Sequence, residues 1–235
     1  TGVQTCALPI SPKPLNEESR LAELQSFELL DTPAEIAFDE ITELAAKICG
    51  VSISCISLVD TNRQWFKSKY GLAASETSRD IAFCAHAVLS QNLFVVPDTQ
   101  LDDRFSDNPL VIGDPHIRFY AAIPLHTNSE IGLGIGTLCV IDRSPKHLSQ
   151  LQIEALRLLG EQVKSRLLLR KQTLSLQKTT NALRKSEETR ESLLRAIQQA
   201  MEGIAVLDRE GRFIYMNNAH ASLDRKSTRL NSSHT

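Results

Sequence analysis

The chain has 235 residues, of which 42% are hydrophobic and 23% are charged, a composition that excludes disordered, collagen-like and disulfide-stapled proteins. With 26 basic and 28 acidic residues the formal net charge is −2, which excludes a general attraction to nucleic acid or acidic lipid. No stretch has the roughly 20 apolar residues of a membrane-spanning helix and no signal peptide is recognisable, so we expect a cytoplasmic protein with no nucleic-acid partner and no membrane segment.

The two ends of the chain are related to each other through the genetic code. One permitted coding of residues 1–10, TGVQTCALPI, has a reverse complement that translates as DRKSTRLNSS, the sequence of residues 224–233. A chance match over this length is negligible, and the DNA resembles a sequencing-library adapter. We therefore predict that residues 1–10 and 224–235 derive from adapter DNA and do not belong to the fold.

Two helices are predicted first along the chain. Residues 16–30 begin with a good N-cap, Asn16, followed by acidic residues and then apolar residues at helical spacing. A second helix is predicted with Thr32 as its N-cap, Pro33 in its first turn and Gly50 at its end. The apolar stripe expected on this second helix consists of Ile36, Ile41, Leu44, Ala45 and Ile48.

The following segments predict a sheet. Residues 51–59 are apolar in both phases of a two-residue alternation, which is typical of a central strand covered on both faces. Other predicted elements are strands at 64–70, 93–97, 118–126 and 131–141, a helix at 81–89, a loop at 101–116 and a turn at 128–129. In residues 118–126, Phe119, Ala121, Ile123 and Leu125 share one face. Together these elements predict an α+β domain.

A long helix follows the sheet. Ser149 is its predicted cap, and the helical pattern extends over a connector at residues 150–200. The leucines at 169, 176 and 183 recur every seven residues, as in a coiled coil. The other seam positions between them are polar, so the apolar seam that would hold two helices together is weak. Residues 204–207 and 213–216 then predict two strands joined by a tight turn, the opening of a second domain.

Six segments resemble the GAF domains of bacterial signalling proteins: FELLDTPAEIAFDEIT, CGVSISCISLVDTNRQWFKSKYGL, SRDIAFCAHAV, VVPDTQLDDRFSDNPLV, IRFYAAIPL and GTLCVIDRSP. The resemblance covers residues 16–169. It implies an antiparallel sheet of about six strands with helices on both faces, the terminal helices packing on one face and loops covering a ligand pocket on the other. Residues 194–223 resemble the truncated start of a PAS domain.

This order of segments resembles the sensory part of two-component signal-transduction proteins. It implies a ligand-binding and dimerisation module, paired as a homodimer through its terminal helices, from a sensor histidine kinase or, alternatively, a diguanylate cyclase. No histidine has the following acid or Asn of a kinase phosphoacceptor, and no Gly-Gly pair of a cyclase is present, so no catalytic residue is expected here. Residues 154–156 spell the phosphodiesterase tripeptide Glu-Ala-Leu, which we interpret as part of the long helix.

Cys84 and His86 are the first candidate pocket residues. On a helix they lie about 200° apart and do not face one pocket together. Bilin-binding relatives place Cys directly before His, whereas Ala85 intervenes here, so a bilin is disfavoured. A nucleophilic thiol of a methionine sulfoxide reductase of the GAF type is an alternative, but its cysteine loop is not recognisable. A redox-sensing thiolate and a buried, inert cysteine remain open, and burial is the more common state.

Arg118 and Tyr120 are the other candidates, because they share one strand face and offer a guanidinium and a phenol to a polar or anionic ligand. The alternative for Arg118 is an ion pair with a loop carboxylate such as Asp98, Asp102 or Asp107. Neither a metal-binding cysteine pair nor the pattern of cyclic-nucleotide-binding GAF domains is found, so the ligand is unidentified and no metal is expected. The glycines at 132, 134 and 136 indicate a bulge or close packing, not a phosphate loop.

Overall fold

A computed structural model describes residues 11–126 and 134–219, which belong to two compact units, Thr1–Gln172 and Thr173–Thr235. Both segments predicted to derive from adapter DNA, residues 1–10 and 224–235, lie outside the described residues, as does the predicted turn at 128–129. Among the described helices, none combines the length and apolar character that crossing a bilayer requires.

The first unit is built on one antiparallel sheet. Its strands are β1 (Ile53–Val59), β2 (Arg63–Tyr70), β3 (Glu76–Ser78), β4 (Phe94–Val96), β5 (Phe119–His126) and β6 (Gly134–Asp142). They follow the spatial order β3-β2-β1-β6-β5-β4, with every neighbouring pair antiparallel. The helices are α1 (Glu17–Ser26), α2 (Ile36–Cys49), α3 (Phe83–Ala87), α4 (Pro109–Ile112) and α5 (Gln150–Gln199), the last of which continues past the end of the unit.

The sheet separates two apolar clusters, as the predicted α+β fold with helices on both faces requires. Every residue of β1 is buried, in agreement with its prediction as a central strand. One cluster joins the sheet to α1, α2 and α5, and the other joins it to α3 and α4. The alternation predicted for β5 is confirmed, since Phe119 and Ala121 belong to the first cluster and Tyr120 and Ala122 to the second.

The start of α2 differs from the prediction. The helix begins at Ile36, and Thr32 does not cap it. Instead the Thr32 hydroxyl donates to the Leu29 carbonyl oxygen at 2.7 Å and accepts from the Lys67 ammonium at 2.8 Å, and Lys67 also donates to the Pro33 carbonyl oxygen. The side chain of Lys67 is fully buried and needs these oxygen partners. Residues 32–35 therefore stay outside the helix, where Thr32 and Pro33 supply these partners.

The buried face of α2 also differs from the predicted stripe. Ile36 is 77% exposed and Leu44 is 46% exposed. Two apolar stripes at helical spacing run along this helix and share Ile41 and Ala45. The stripe that starts at Phe38 is the one that packs against the sheet. The buried residues of α2 are Phe38, Ile41, Thr42, Ala45, Ala46 and Cys49.

The α5 helix packs on the same face of the sheet as α2. Its predicted cap is confirmed, since Ser149 and Gln152 form a capping box in which the Gln152 amide nitrogen donates to the Ser149 hydroxyl and the Ser149 amide nitrogen donates to the Gln152 side chain. A Cβ at Gly160 would lie 2.7 Å from Cγ2 of Ile123, so glycine here lets the helix approach β5 closely. At the end of the unit Lys171 pairs with Glu23 of α1 at 2.8 Å.

The second unit contains the rest of α5 and the two predicted strands, β7 (Ala205–Leu207) and β8 (Phe213–Met216). Its tight turn contains Gly211 at φ +80°, and the Asp208 amide nitrogen donates to the Arg212 carbonyl oxygen. Asn217 is buried and joins the hairpin to the helix end by donating to the carbonyl oxygens of Ile197 and Glu202.

Candidate functional site

A cavity of about 320 Å³ lies between the sheet and the segments that cover its α3 face. This volume is at the low end of the range of small-molecule sites, roughly 300–1,000 Å³. Strands β1, β2, β3, β5 and β6 form its floor, and α3, α4 and the loop after β2 cover it. Its walls are mainly apolar, formed by Ile53, Phe66, Phe83, Leu110, Ile117 and Ile141.

The covering segments are short and held by specific contacts. The helix predicted over 81–89 is reduced to the five residues of α3, and the loop predicted over 101–116 contains α4. Asn108 caps α4 by accepting from the Leu110 amide nitrogen, and its Nδ2 donates to the Ile81 carbonyl oxygen at 3.0 Å. Phe83 stacks on Phe105 with ring centroids 4.2 Å apart. These contacts attach the loop to α3 and keep the cavity covered.

The structure places Cys84 and Tyr120 together at the cavity wall. The Tyr120 hydroxyl and the Thr137 hydroxyl each donate to the Cys84 sulfur at 3.1 Å. Burial raises the pKa of the Cys84 thiol well above its usual range, and burial likewise raises the pKa of the Tyr120 phenol. Both groups are therefore neutral at physiological pH, which disfavours a thiolate nucleophile at Cys84.

His86 and Arg118 lie outside the cavity lining, unlike the sequence expectation. The His86 ring packs edge-on against Phe105, with centroids 4.9 Å apart, and burial together with nearby Arg104 lowers the pKa of the imidazole. Arg118 makes a two-pronged ion pair with Asp98, at 3.0 and 2.7 Å, which lowers the pKa of that carboxyl. The ion-pair alternative for Arg118 is the one observed. Val96 of β4 pairs with Tyr120 of β5, and the same antiparallel register places Asp98, two residues after Val96, opposite Arg118.

Two cavity residues, Gln64 and Thr77, were missed by sequence reasoning. Gln64 lies on β2 and is 7% exposed, and Thr77 lies directly opposite it on β3. Neither the Gln64 Oε1 nor the Thr77 Oγ1, both buried, has a hydrogen-bond partner within the described part of the chain. Gln64 shares its alternation phase with Phe66, which was an available signal. No sequence signal pointed to Thr77, because β3 has only three residues and is too short to show an alternation.

The charged residues of the described cavity lining lie at its opening. Asp114 and Arg143 belong to the lining and are both exposed. Within residues 11–126 and 134–219, no three His, Cys, Asp or Glu side chains converge as a metal site. The arrangement therefore offers an apolar enclosure, one unpartnered polar pair and two charges at the opening.

A family model described as the GAF domain matches residues 33–167, more than half of the chain. The chain belongs to the GAF domain family. One curated relative, a cyclic di-GMP phosphodiesterase of Pseudomonas aeruginosa, is 45% identical over 135 residues. The alignment covers 57% of this chain and 23% of that protein, so the chain spans about a quarter of the relative that it matches.

The chain is also similar to solved structures at low sequence identity. The GAF domain of Thermosynechococcus elongatus PixJ is 12% identical with a TM-score of 0.49, covering 71% of this chain and 96% of that one. The GAF domain of an Acinetobacter phosphoenolpyruvate-protein phosphotransferase is 15% identical with a TM-score of 0.48, covering 66% and 95%. A free methionine-R-sulfoxide reductase from Neisseria meningitidis is 16% identical with a TM-score of 0.48, covering 71% and 98%.

The Glu-Ala-Leu tripeptide of this GAF domain is part of a helix. Residues 154–156 lie in the second turn of α5, and Leu156 is fully buried in the cluster beneath the sheet. Its interpretation as helical sequence is confirmed.

Proposed function

We propose that this chain is the sensory ligand-binding and dimerisation module of a bacterial signal-transduction protein. The observation that supports it best is the covered cavity of about 320 Å³ on one face of the sheet, with the terminal helices packed on the opposite face. Strand β5 borders both sides, because Tyr120 lines the cavity while Ala121 packs in the cluster that contains α5. A ligand that prefers one state of the cavity would shift the population of helix arrangements.

The contacts at the end of the first unit support transmission through α5. The Arg170 guanidinium donates to the carbonyl oxygens of Phe27 and Glu28, at 3.2 and 3.0 Å. Lys171 pairs with Glu23 and lies 5.1 Å from the centroid of the Phe27 ring. The connector over residues 150–200 is thus bonded to α1 and the segment after it. A coupling of roughly 1–3 kcal/mol between ligand and helices would suffice for regulation.

Filling the cavity is expected to remove a bound small molecule. We expect native mass spectrometry of the chain purified from cells to show a co-purifying ligand, and Leu110→Trp to lose it, because the indole would occupy the ligand volume. Ile112→Trp is the matched control, since Ile112 lies on the same helix but is 67% exposed and outside the lining. Arg118→Ala, which breaks only the pair with Asp98, should also keep the ligand.

Two results would contradict ligand sensing at this cavity. One is a wild-type chain that carries no small molecule under any growth condition. The other is full retention by a folded Leu110→Trp variant. In either case the first unit would bind no ligand and would serve only as a scaffold for pairing of the terminal helices.

Homodimerisation through the terminal helices is the second part of the proposal. Leu176 and Leu183 are one heptad apart and are 69% and 60% exposed, so pairing with a second copy would bury them. Sedimentation equilibrium should show a dimer that Leu176→Glu/Leu183→Glu weakens by tenfold or more. The control Asn181→Glu/Ala182→Glu places the same charge outside that seam and should leave the dimer intact. Equal effects of the two double variants would argue against this seam.

We propose that residues 194–223 begin a PAS domain and that a catalytic output belongs to the full-length protein. The resemblance of the domain order suggests a sensor histidine kinase. The 45% identity to a cyclic di-GMP phosphodiesterase favours an output in cyclic di-GMP metabolism, including the diguanylate cyclase alternative. Assays of the full-length protein for cyclic di-GMP turnover and for autophosphorylation from ATP would separate the two.

Thiol-dependent methionine sulfoxide reduction has less support. Its nucleophile would be Cys84, which is buried and has a raised pKa. If the chain turned over free methionine sulfoxide and Cys84→Ser abolished that turnover, sulfoxide reduction would be favoured over ligand sensing.

A further inference from the structure

The unpartnered polar pair in the cavity points to the chemistry of the ligand. Gln64 and Thr77 face each other across the β2–β3 ladder, where opposing Cβ atoms are about 5 Å apart. Both side chains reach the cavity, and the Gln64 Oε1 and the Thr77 Oγ1 are buried without a hydrogen-bond partner among the described residues. Buried polar groups in folded proteins are nearly always satisfied, so a ligand that bonds to both would remove the cost of leaving them unpaired.

Two other polar side chains of the cavity lining, those of Cys84 and Tyr120, are already engaged with each other. The Tyr120 and Thr137 hydroxyls both donate to the Cys84 sulfur. Among the described lining residues, Gln64 and Thr77 are therefore the buried polar pair that is available to orient a ligand.

The cavity is suited to an uncharged ligand. The charged lining residues among those described, Asp114 and Arg143, are exposed at the opening. The described interior wall has no charged side chain that would pair with an anion or a cation, and an unpaired charge in an apolar site is strongly disfavoured. The ligand body must therefore be mainly apolar and neutral.

We propose that this cavity, if it is the sensory site proposed above, selects neutral, mainly apolar molecules with an N–H donor beside a C=O acceptor, as in a lactam. The ligand N–H donates to the Gln64 Oε1, and the Thr77 hydroxyl donates to the ligand carbonyl oxygen. The opposed strand positions match this side-by-side pair of groups. A lactam also satisfies the site if Gln64 presents its NH₂ group, with donor and acceptor exchanged.

The test compares three bicyclic probes on the purified chain by isothermal titration calorimetry. These are 2-quinolone, which has both groups, quinoline, which has only an acceptor, and naphthalene, which has neither. We expect 2-quinolone to bind at least tenfold more tightly than the other two. The Gln64→Leu/Thr77→Val variant should lose this preference while its unliganded form melts at a higher temperature, because two unpaired polar groups are removed.

A matched control is available on the same strand. Ser68→Ala removes a β2 hydroxyl that donates to Asp39 at 2.6 Å on the α2 side, so it should lower stability and keep the probe preference. Equal affinity for the three probes, or retention of the preference by the double variant, would overturn the inference. Tighter binding of the anion quinoline-2-carboxylate would also overturn it.

Failure of this inference is distinguishable from failure of the proposed function. If no probe binds but native mass spectrometry finds a ligand that Leu110→Trp excludes, the lactam assignment is wrong and ligand sensing stands. If no probe binds and no ligand co-purifies, both are overturned.

Discussion

Replacing Gly136 by alanine is expected to destabilise the sheet domain by about 4 kcal/mol or more, a large part of the roughly 5–15 kcal/mol that stabilises a typical domain. Gly136 lies on β6 opposite Leu58 of β1. A Cβ at this position would lie 2.0 Å from the Ser57 carbonyl oxygen and 3.0 Å from the Leu58 Cα. Because these are backbone atoms, no change of rotamer relieves the overlap, and the two central strands must separate. Urea unfolding followed by circular dichroism measures the loss.

The control for this prediction is Gly113→Ala. It adds the same methyl group where the nearest atom, the Pro109 carbonyl oxygen, is 3.0 Å away, and we expect a cost below about 1 kcal/mol. A Gly136→Ala protein that unfolds within 1 kcal/mol of wild type would show that β1 and β6 are not this close.

Glu17→Gln is expected to cost about 2–3 kcal/mol at neutral pH, because it removes the negative charge between two buried guanidinium groups. Arg20 and Arg79 are each 1% exposed and both donate to the Glu17 carboxylate. Burial raises the pKa of this carboxyl, but the hydrogen bonds from Arg20 and Arg79 outweigh burial and lower the pKa of Glu17 from 4.5 to about 2. This difference corresponds to about 3 kcal/mol before solvent screening at the partly exposed carboxylate.

The same contact predicts a dependence on pH. The pKa of Glu17 is lower in the folded state than in the unfolded state, so its stabilisation is complete above pH 4.5 and is lost as the pH falls toward about 2. The difference in unfolding free energy between wild type and Glu17→Gln should therefore be largest near pH 6 and shrink by pH 3. Glu18→Gln, at an exposed neighbouring position, serves as control. Equal unfolding free energies of the two variants at pH 6 would contradict the stabilising role of the ion pairs between Glu17 and the two buried arginines.

The parts of the fold that were predicted from the sequence depend on short-range patterns. The continuous apolar run of β1 predicted a central strand, the alternation in β5 predicted its two faces, and Ser149 predicted the start of α5. The glycines at 134 and 136 indicated close packing, which the structure confirms, since a Cβ at Gly134 would lie 2.4 Å from the Val88 carbonyl oxygen. Each of these signals is carried by residues that are neighbours along the chain.

The strand β2 shows where such patterns fail. Simple alternation places Gln64, Phe66 and Ser68 on one face. The register with β1 shifts by one residue between Phe66 and Ser68, so Ser68 turns to the α2 face and bonds to Thr42 at 2.8 Å. A β-bulge depends on the pairing partner and reverses the phase after it, so the sequence of β2 alone could not predict it.

The sequence by itself determined the order and type of the longer elements, because local periodicity and capping are properties of adjacent residues, and its motif segments carried the resemblance to the GAF family. The short elements β3 and α4 were not predicted. Only the tertiary structure decided which stripe of α2 is buried, that Arg118 binds Asp98 and that Gln64 faces Thr77 beneath α3. These outcomes depend on contacts between residues that are at least 13 positions apart along the chain. Strand register and competition between packing surfaces decide such contacts, and neither is encoded in the pattern of any single segment.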